Sequence, residues 1–465
     1  MENHPDNEPI LNYGPGSKEK KELKIEIERQ MSEVIEIPCI VNGKEVYTNN
    51  TVTQVIPHNH SHILANVHLA DKNTIEQACD AAIESQEMWI KMGMEKRAQI
   101  FEKCADLLAG EWRMKINAST MLNQSKTVFQ AEIDAACELI DFWRFNAYYA
   151  RNFHDQFQPL VSPEGTVNTT EIRPLEGFIV AITPFNFTSI AGNLPSAPAL
   201  VGCTSLWKPS RNSYYSNYMI MKLMMEAGLP KGVINFLPGS GSEIMDCSLS
   251  KPDFAGVHFT GSTNVFQGLW QRIATALPDM KGYPRIVGET GGKDFVVAHP
   301  DCDQKGLIVA LLRGAFEYQG QKCSAASRAY IPETVWNNIS DEFVEEISKI
   351  KMGDCNDFTN FMTAVIDQRA FDKINGYVDR ARSDKDCEII AGGNNNGEKG
   401  WFIEPTVIVT RNPESETMVE EIFGPVLTVY VYKDEEFDNV LELCDKASPY
   451  ALTGSIFSSN EDNIQ

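Results

Sequence analysis

Between residues 74 and 112 the apolar side chains Ile75, Ala78, Ala82 and Ile83, then Ile100, Phe101, Leu107 and Leu108, recur every three or four positions. That spacing lines one face of a helix. Met92-Gly93-Met94 interrupts the pattern, so two helices are expected there. Another is expected over 132–149, where Ile133, Ala136, Leu139, Ile140, Trp143 and Phe145 keep the same period. After Gly165 the texture changes. Short apolar runs at 178–182, 205–207, 233–237 and 256–259 alternate with helical stretches, among them the methionine-rich 214–226. Strands apolar on both faces and separated by helices predict a parallel sheet covered on both sides. A second series runs from Arg285 onward, through 329–331, 406–409, 426–432 and 454–457. The fold class is therefore α/β, with two adjacent parallel-sheet α/β domains and no internal repeat. Residues up to 35, dense in charge between Lys18 and Lys24, read as a solvated arm or a helix without a core face.

Bulk composition narrows the function. A chain of 465 residues that is 43% hydrophobic can bury more than one core. Its 64 acidic and 41 basic residues give a net charge of -23, adverse to nucleic acid and to an anionic membrane, so neither partner is expected. The longest apolar stretches, such as 177–182 and 307–312, stop far short of the roughly 20 residues that span a bilayer. Eleven cysteines, an odd number with no C-x-x-C pair, spell neither a disulfide framework nor a zinc site and fit a reducing compartment. Residues 1–9 carry Glu2, Asp6 and Glu8 and no arginine, so no targeting segment is visible.

Three short segments can carry chemistry. Cys323, in Gly320-Gln321-Lys322-Cys323-Ser324, has a lysine before it and small residues after it. A nearby cation favours thiolate, and small neighbours leave room for a carbonyl. Alone, any one of eleven cysteines is more often a packed thiol. Glu289 ends the apolar Ile286-Val287 run inside Gly288-Glu289-Thr290-Gly291-Gly292-Lys293, where a carboxylate can accept a proton from a thiol or from water. By itself it is equally the cap of a turn. Asn186, in Thr183-Pro184-Phe185-Asn186-Phe187, offers an amide donor of the type that stabilises an oxyanion, or closes an Asx turn. For a nucleotide, Phe259-Thr260-Gly261-Ser262-Thr263 at a strand end would expose N–H groups to phosphate, whereas Gly239-Ser240-Gly241 lacks the third glycine of a dinucleotide fingerprint. Lys208, in Trp207-Lys208-Pro209-Ser210, places a cation at another strand end.

The ordered set PFNF, WKPS, HFTGS, GETGGK, GQKC and EEIFGPV resembles the aldehyde dehydrogenase superfamily in order and spacing. The stretches QAEID, LIDF, FEYQGQKCS and YVY are similar to its 1-pyrroline-5-carboxylate (L-glutamate γ-semialdehyde) dehydrogenase branch. The resemblance runs from about Asn7 to the last residue and implies an aldehyde dehydrogenase-like fold, with a Rossmann-like cofactor domain and a catalytic domain. It divides the chain into an N-terminal arm (1–45), an NAD(P)-binding domain (46–156 and 175–288), an oligomerisation hairpin (157–174) and a catalytic domain (289–465).

Position by position, the resemblance makes Cys323 the nucleophile that forms a thiohemiacetal, Glu289 the general base for thioester hydrolysis and Asn186 an oxyanion donor. Lys208 and Glu421 would hold the cofactor's riboses, Thr183, Gly261 and Ser262 its nicotinamide or pyrophosphate side, Ser210 would also bind the cofactor, and Phe423 would pack near the nicotinamide. Phe187 and Ser324 would line the substrate pocket. The implied activity is NAD-dependent oxidation of L-glutamate γ-semialdehyde to L-glutamate in proline catabolism, by a homo-oligomer in the mitochondrial matrix or, alternatively, the cytoplasm. Other readings are a different semialdehyde dehydrogenase, or a catalytically incomplete cofactor-binding subunit. The sequence departs from the family at three places. Phe266 stands where many members have a glycine, a change also common in the pyrroline carboxylate branch. Arg211 stands where an acid commonly meets the adenosine ribose, which favours tolerance of NADP. The chain stops at Gln465, whereas relatives continue with a substrate-carboxylate loop and an oligomerisation tail, so the catalytic domain is expected to be incomplete. His58, His60 and His62 alternate as on one face of a strand; with no carboxylate or cysteine nearby in sequence, a surface strand is expected and no metal.

Overall fold

The computed structural model describes residues 4–156, 161–450 and 452–464. The chain divides into two compact units: Met1–Val55 with Ile63–Asn123 and Ala131–Glu289, and Ile56–His62 with Gln124–Gln130 and Thr290–Gln465. Among the described residues no helix is long and apolar enough to cross a membrane.

The first unit is organised on a sheet ordered Arg285–Glu289, Phe254–Thr260, Phe178–Ile182, Thr204–Lys208, Ile234–Phe236, all parallel, with short antiparallel strands Cys39–Val41 and Lys44–Val46 at one edge. Helices Thr188–Leu200, Tyr214–Ala227, Gly241–Leu249 and Thr263–Ala276 make the crossovers. Phe178, Val180, Leu206, Val257 and Phe259 bury one face of the sheet against Ile75, Ala78 and Ala82. Fully burying such a side chain contributes about 1.5–3 kcal/mol. The chain starts this parallel set at 178–182, builds outward through 204–208 and 234–236, and then returns to the other side through 254–260 and 285–289. That reversal makes the carboxyl ends of 178–182 and 254–260 the switch point, where doubly wound sheets leave a crevice.

Several expectations change here. Arg285–Glu289 closes the first sheet instead of opening the second, pairing Ile286 with Val257. It is an edge strand with mostly exposed residues, and two apolar positions cannot signal which sheet they join. The break at Gly93 does separate two helices, Lys72–Lys91 and Met94–Ala109. The helix expected over 132–149 is π-helical at Glu132–Cys137 before becoming Glu138–Gln156. The N-terminal segment is no solvated arm: Lys18–Met31 is a helix that buries Leu23, Ile27 and Gln30. Two apolar residues one turn apart are enough to dock it, though charged neighbours hide them in the sequence.

Residues 8–13 are tied down as well. Glu132, on the π-helical turn, accepts the Tyr13 hydroxyl at 2.7 Å, the Leu11 N–H at 2.8 Å and the Asn117 amide at 2.8 Å, and it pairs with the buried Arg113. Burial alone would raise this carboxyl, but Arg113 and the donors around it outweigh burial and hold it below its ordinary range. Arg113 also reaches Glu8, which pairs with Arg144. Of the hairpin expected over 157–174, residues 157–160 lie outside the described residues, and 161–174 carry a turn at Glu164-Gly165 and no strand.

The second unit has a sheet ordered Cys387–Ala391, Thr406–Thr410, Val426–Tyr432, Arg328–Pro332, Phe295–Ala298, Gly454–Phe457; the first strand is antiparallel and the other five are parallel. Its core joins Val296, Ala329, Ile331, Val407, Leu427 and Val429 to the helices Gln304–Phe316 and Glu333–Ser348. The alternating histidines do not share a strand. His58 occupies the turn between Thr51–Ile56 and Asn59–His68, and only His60 and His62 lie on the second strand. Pro57, which has no N–H to give a ladder, ends the alternation there.

Candidate active site

In the first unit the parallel register sets four strand ends side by side. Glu289 pairs with Thr260, Ile182 with both Phe259 and Lys208. The residues just beyond those ends therefore share one edge: Thr183, Lys208, Gly261, Ser262 and Glu289. The Thr183 N–H donates to the Lys208 carbonyl at 3.2 Å, and the Trp207 indole donates to the Thr183 hydroxyl at 3.1 Å. The Gly261 N–H donates to the Glu289 carbonyl at 3.2 Å. Ser210 and Asn186 follow on the next loops. Asn186 is buried just ahead of the Thr188–Leu200 helix, whose N-cap is Phe187.

The aromatic pair beneath this edge explains its glycines. Phe259 and Phe266 stack with centroids 5.4 Å apart and an 18° tilt. A side chain on Gly261 would meet Phe259 at 2.8 Å, and one on Gly288 would meet Phe266 at 2.2 Å. Phe266 thus fills the space under GETGGK that a glycine at 266 would leave open. Ser262 caps the Thr263–Ala276 helix without a side-chain bond to it, and the Thr263 hydroxyl is buried with no partner. The first-turn N–H groups and that hydroxyl can receive an anion. Burial, then the neighbouring charge of Arg211, pushes the Lys208 ammonium down to about 8, so a hydroxyl or phosphate partner would relieve it.

The second unit holds Cys323, Ser324, Glu421 and Phe423. Of eleven free cysteines nine are buried; only Cys323 and Cys387 are partly open. Burial pushes Cys387 upward, making it a poor thiolate source. Cys323, Glu421 and Phe423 line one cavity of about 10 Å³ with Gly292, Gly320 and Gly424, room for no more than a single water. Ser324 is exposed beside it. The glycines are required by close approach. A side chain on Gly292 would strike the Cys323 carbonyl at 2.6 Å, and one on Gly320 the Gly424 carbonyl at 2.2 Å. GETGGK, GQKC and EEIFGPV therefore interlock through backbone. Glu421 accepts the Gly292 N–H at 3.1 Å, and burial raises its carboxyl. Lys293 is buried with no hydrogen-bond partner, and burial, then Arg328, lowers its ammonium to about 7.

The backbone ahead of the cysteine is strained. Tyr318, Gln319 and Gly320 take left-handed φ of 49°, 56° and 64°. Each non-glycine residue there costs on the order of 1–2 kcal/mol. Buried side chains hold the turn in place. The Gln319 amide donates to the Ala364 carbonyl at 2.6 Å and the Thr363 hydroxyl at 3.1 Å, and its oxygen accepts the Thr363 N–H at 3.1 Å. The Tyr318 hydroxyl donates to the Gln124 carbonyl at 3.0 Å, and Gln321 accepts the Ile366 N–H at 2.9 Å.

The profile of the aldehyde dehydrogenase family matches residues 46–465. The chain belongs to the aldehyde dehydrogenase family. Among relatives, it is 48% identical to the delta-1-pyrroline-5-carboxylate dehydrogenase of Agaricus bisporus over 460 residues, 98% of this chain and 84% of that one. It is 49% identical to the mitochondrial enzyme of the same name from Dictyostelium discoideum over 457 residues, 98% of this chain and 82% of the relative. The crystal structure of the delta-pyrroline-5-carboxylate dehydrogenase from Mycobacterium tuberculosis bound with NAD superposes with a TM-score of 0.95 at 45% identity, covering 99% of this chain and 84% of that one.

Within this aldehyde dehydrogenase, the sequence reading found the motif residues but not the side chains that hold them. Gln319, Tyr318 and Gln321 were seen only as neighbours of Cys323, and Lys293 only as the end of a motif. A usable signal was present: Gln319 and Gln321 flank a glycine between two stretches that must bury, and a buried amide there needs backbone partners.

Proposed function

We propose that this chain oxidises L-glutamate γ-semialdehyde, formed by opening of 1-pyrroline-5-carboxylate, to L-glutamate, with Cys323, Glu289 and Asn186 as the catalytic residues. The observation that carries the reading is Cys323, a partly open cysteine held on a strained and pinned turn beside Glu421 and Phe423. Cys323 as thiolate attacks the aldehyde carbon, its proton passing to a base, and the Asn186 amide donates to the resulting oxyanion. NAD, when bound, supplies the hydride acceptor that converts the thiohemiacetal to a thioester. Glu289 then takes a proton from water, the water oxygen attacks the thioester carbon, and the Cys323 thiol leaves as the acid is released. Thr183, Lys208, Ser210, Gly261 and Ser262 would hold the cofactor's phosphate and ribose groups, and Glu421 and Phe423 would serve its nicotinamide end.

The fit to a dinucleotide rests on the unpartnered Thr263 hydroxyl and the uncapped first turn of the helix at the switch point. NAD is the expected cofactor, as in the Mycobacterium tuberculosis structure, with NADP tolerated because of Arg211. The mitochondrial matrix is the expected compartment, as for the Dictyostelium, Danio rerio and human relatives so named, and a homo-oligomer the expected assembly. Turnover of glutamate semialdehyde beside succinate semialdehyde and simple aliphatic aldehydes tests the substrate. Glu289→Gln should retain a first-turnover burst of NADH and lose steady-state rate by on the order of 100-fold. A better rate on another semialdehyde overturns the substrate, and an absent burst in Glu289→Gln overturns its role after hydride transfer.

A further inference from the structure

We propose that His58, Asp354 and Cys355 form a binding site for one zinc-class divalent cation in the second unit, separate from the Cys323 chemistry. His58 and Cys355 are buried, and the Asp354 side chain is 45% exposed, which opens the cluster to solvent on one side. His58 Nε2 stands 3.4 Å from Asp354 Oδ1 and 3.6 Å from Cys355 Sγ, and the three ligand atoms all lie within 4.8 Å of one another. A tetrahedral zinc, with bonds of about 2.0–2.1 Å to nitrogen and oxygen and about 2.3 Å to sulfur, sets its ligands roughly 3.3 Å (N to O) and 3.6 Å (N to S) apart. The two measured separations match those edges, and the third, carboxylate to sulfur, lies within 4.8 Å against about 3.6 Å in such a tetrahedron, a difference that rotation of the half-exposed Asp354 side chain can close.

Outer contacts orient the imidazole. His58 Nδ1 is 2.8 Å from the Ser125 hydroxyl, which also accepts the His58 N–H at 3.2 Å. With Nδ1–H donating to Ser125, the Nε2 lone pair faces the carboxylate and the sulfur, the arrangement that outer-shell partners impose on metal-bound histidines. Ser125 is itself fixed, at φ 52°, with its carbonyl accepting Thr363 Oγ1 and the Gln319 amide. The residue that follows Cys355, Asn356, donates its N–H to Asp354 Oδ1 at 2.9 Å and has a buried side-chain oxygen with no hydrogen-bond partner. One sulfur, one imidazole and one carboxylate favour zinc over magnesium or calcium, which prefer all-oxygen shells. The ion would staple the 57–58 turn to the loop after Gly353. On binding, the Cys355 proton is released to solvent, with no change of oxidation state.

The test uses the full chain, stripped with a chelator and then given zinc or cobalt(II) alone. Bound metal is counted by mass spectrometry, and the cobalt form is read by its thiolate charge-transfer and tetrahedral visible bands. Because Cys323 is also a thiol, wild type is compared with Cys323→Ala, Cys355→Ala and the half-exposed Asp354→Asn. One equivalent and the thiolate–cobalt band should appear in wild type and in Cys323→Ala. Affinity should fall at least about 100-fold in Cys355→Ala and about 10-fold or more in Asp354→Asn, beyond or within the range of outer-shell changes respectively. If Cys355→Ala does not fold, Asp354→Asn decides, its metal-free melting temperature serving as control. No thiolate–cobalt band in wild type overturns the site, as does metal retained in Cys355→Ala and lost in Cys323→Ala, or unchanged affinity in Asp354→Asn.

Discussion

The strand ends of the first unit and the nucleophile turn of the second reach comparable order by opposite means. At the strand ends the backbone is regular, and register alone sets Glu289 level with Thr260 and, one residue earlier, Ile182 level with Phe259 and Lys208. The binding groups there are N–H donors that any doubly wound sheet would offer at its switch point, joined by the Lys208 ammonium. Around Cys323 the backbone is irregular, with Tyr318 and Gln319 left-handed and Phe423 also at φ 61°. That geometry survives only because Gln319, Tyr318 and Gln321 spend buried hydrogen bonds on it. A group that must bind and release reversibly is presented by unstrained structure. An atom that must form and break a bond is held where the chain would not put it by itself.

The contrast can be broken hardest at the nucleophile. Cys323→Ala should lower aldehyde oxidation by on the order of 10⁴-fold while leaving NAD affinity within about twofold, since the cofactor groups of the first unit do not depend on it. Calorimetric titration with NAD beside steady-state rates reads both; a variant that keeps its turnover removes Cys323 from the mechanism.

Gln319→Ala comes next. It strips four side-chain hydrogen bonds and leaves the Thr363 N–H unsatisfied, a cost of about 2–4 kcal/mol. The turn should relax and kcat should fall by about 10–100-fold with KM for NAD unchanged. The rate of Cys323 alkylation by iodoacetamide, measured against pH in the folded variant, separates a displaced thiol from a loss of overall stability. An unaltered profile together with normal kcat would show that the turn holds its shape without this amide.

The smallest effect tests the strand ends. Arg211 helps to lower Lys208 to about 8, so the ammonium loses its charge as pH rises through that value and NAD affinity should weaken above it. Arg211→Asp replaces a repelling cation with an attracting anion, which moves that loss to higher pH and raises the NAD to NADP affinity ratio by about tenfold. Titrating both cofactors at pH 7 and pH 9 gives the two numbers. An unchanged ratio would mean that Arg211 does not face the adenosine ribose.

Much of this was legible beforehand because periodicity and motif order are local. The runs at 178–182, 426–432 and 454–457 are strands with those same bounds, and the break at Gly93 separates two helices. What escaped depends on distant partners. The π-helical turn carries Glu132, on whose carboxylate groups converge from residues 11, 13, 113 and 117. His58 looked like one of three strand histidines because Asp354 and Cys355 are nearly 300 positions away, at a separation of 297 for the cysteine. Arg285–Glu289 could not be assigned to its sheet without the Gly256–Arg285 pairing.

The ties of residues 8–13 also bear on the order in which the chain acquires its shape during synthesis. Glu8 meets Arg113 across 105 positions and Tyr13 meets Glu132 across 119. At a translation rate of about 5–20 residues per second, the N-terminal strip waits roughly 5–20 s after it is made before its partner exists. The Lys72–Lys91 and Met94–Ala109 helices can each form locally in far less time. The first residues to be polymerised are therefore seated only after the helices made between them and their partners, and the strip behaves as a closure laid down once residue 132 has been made.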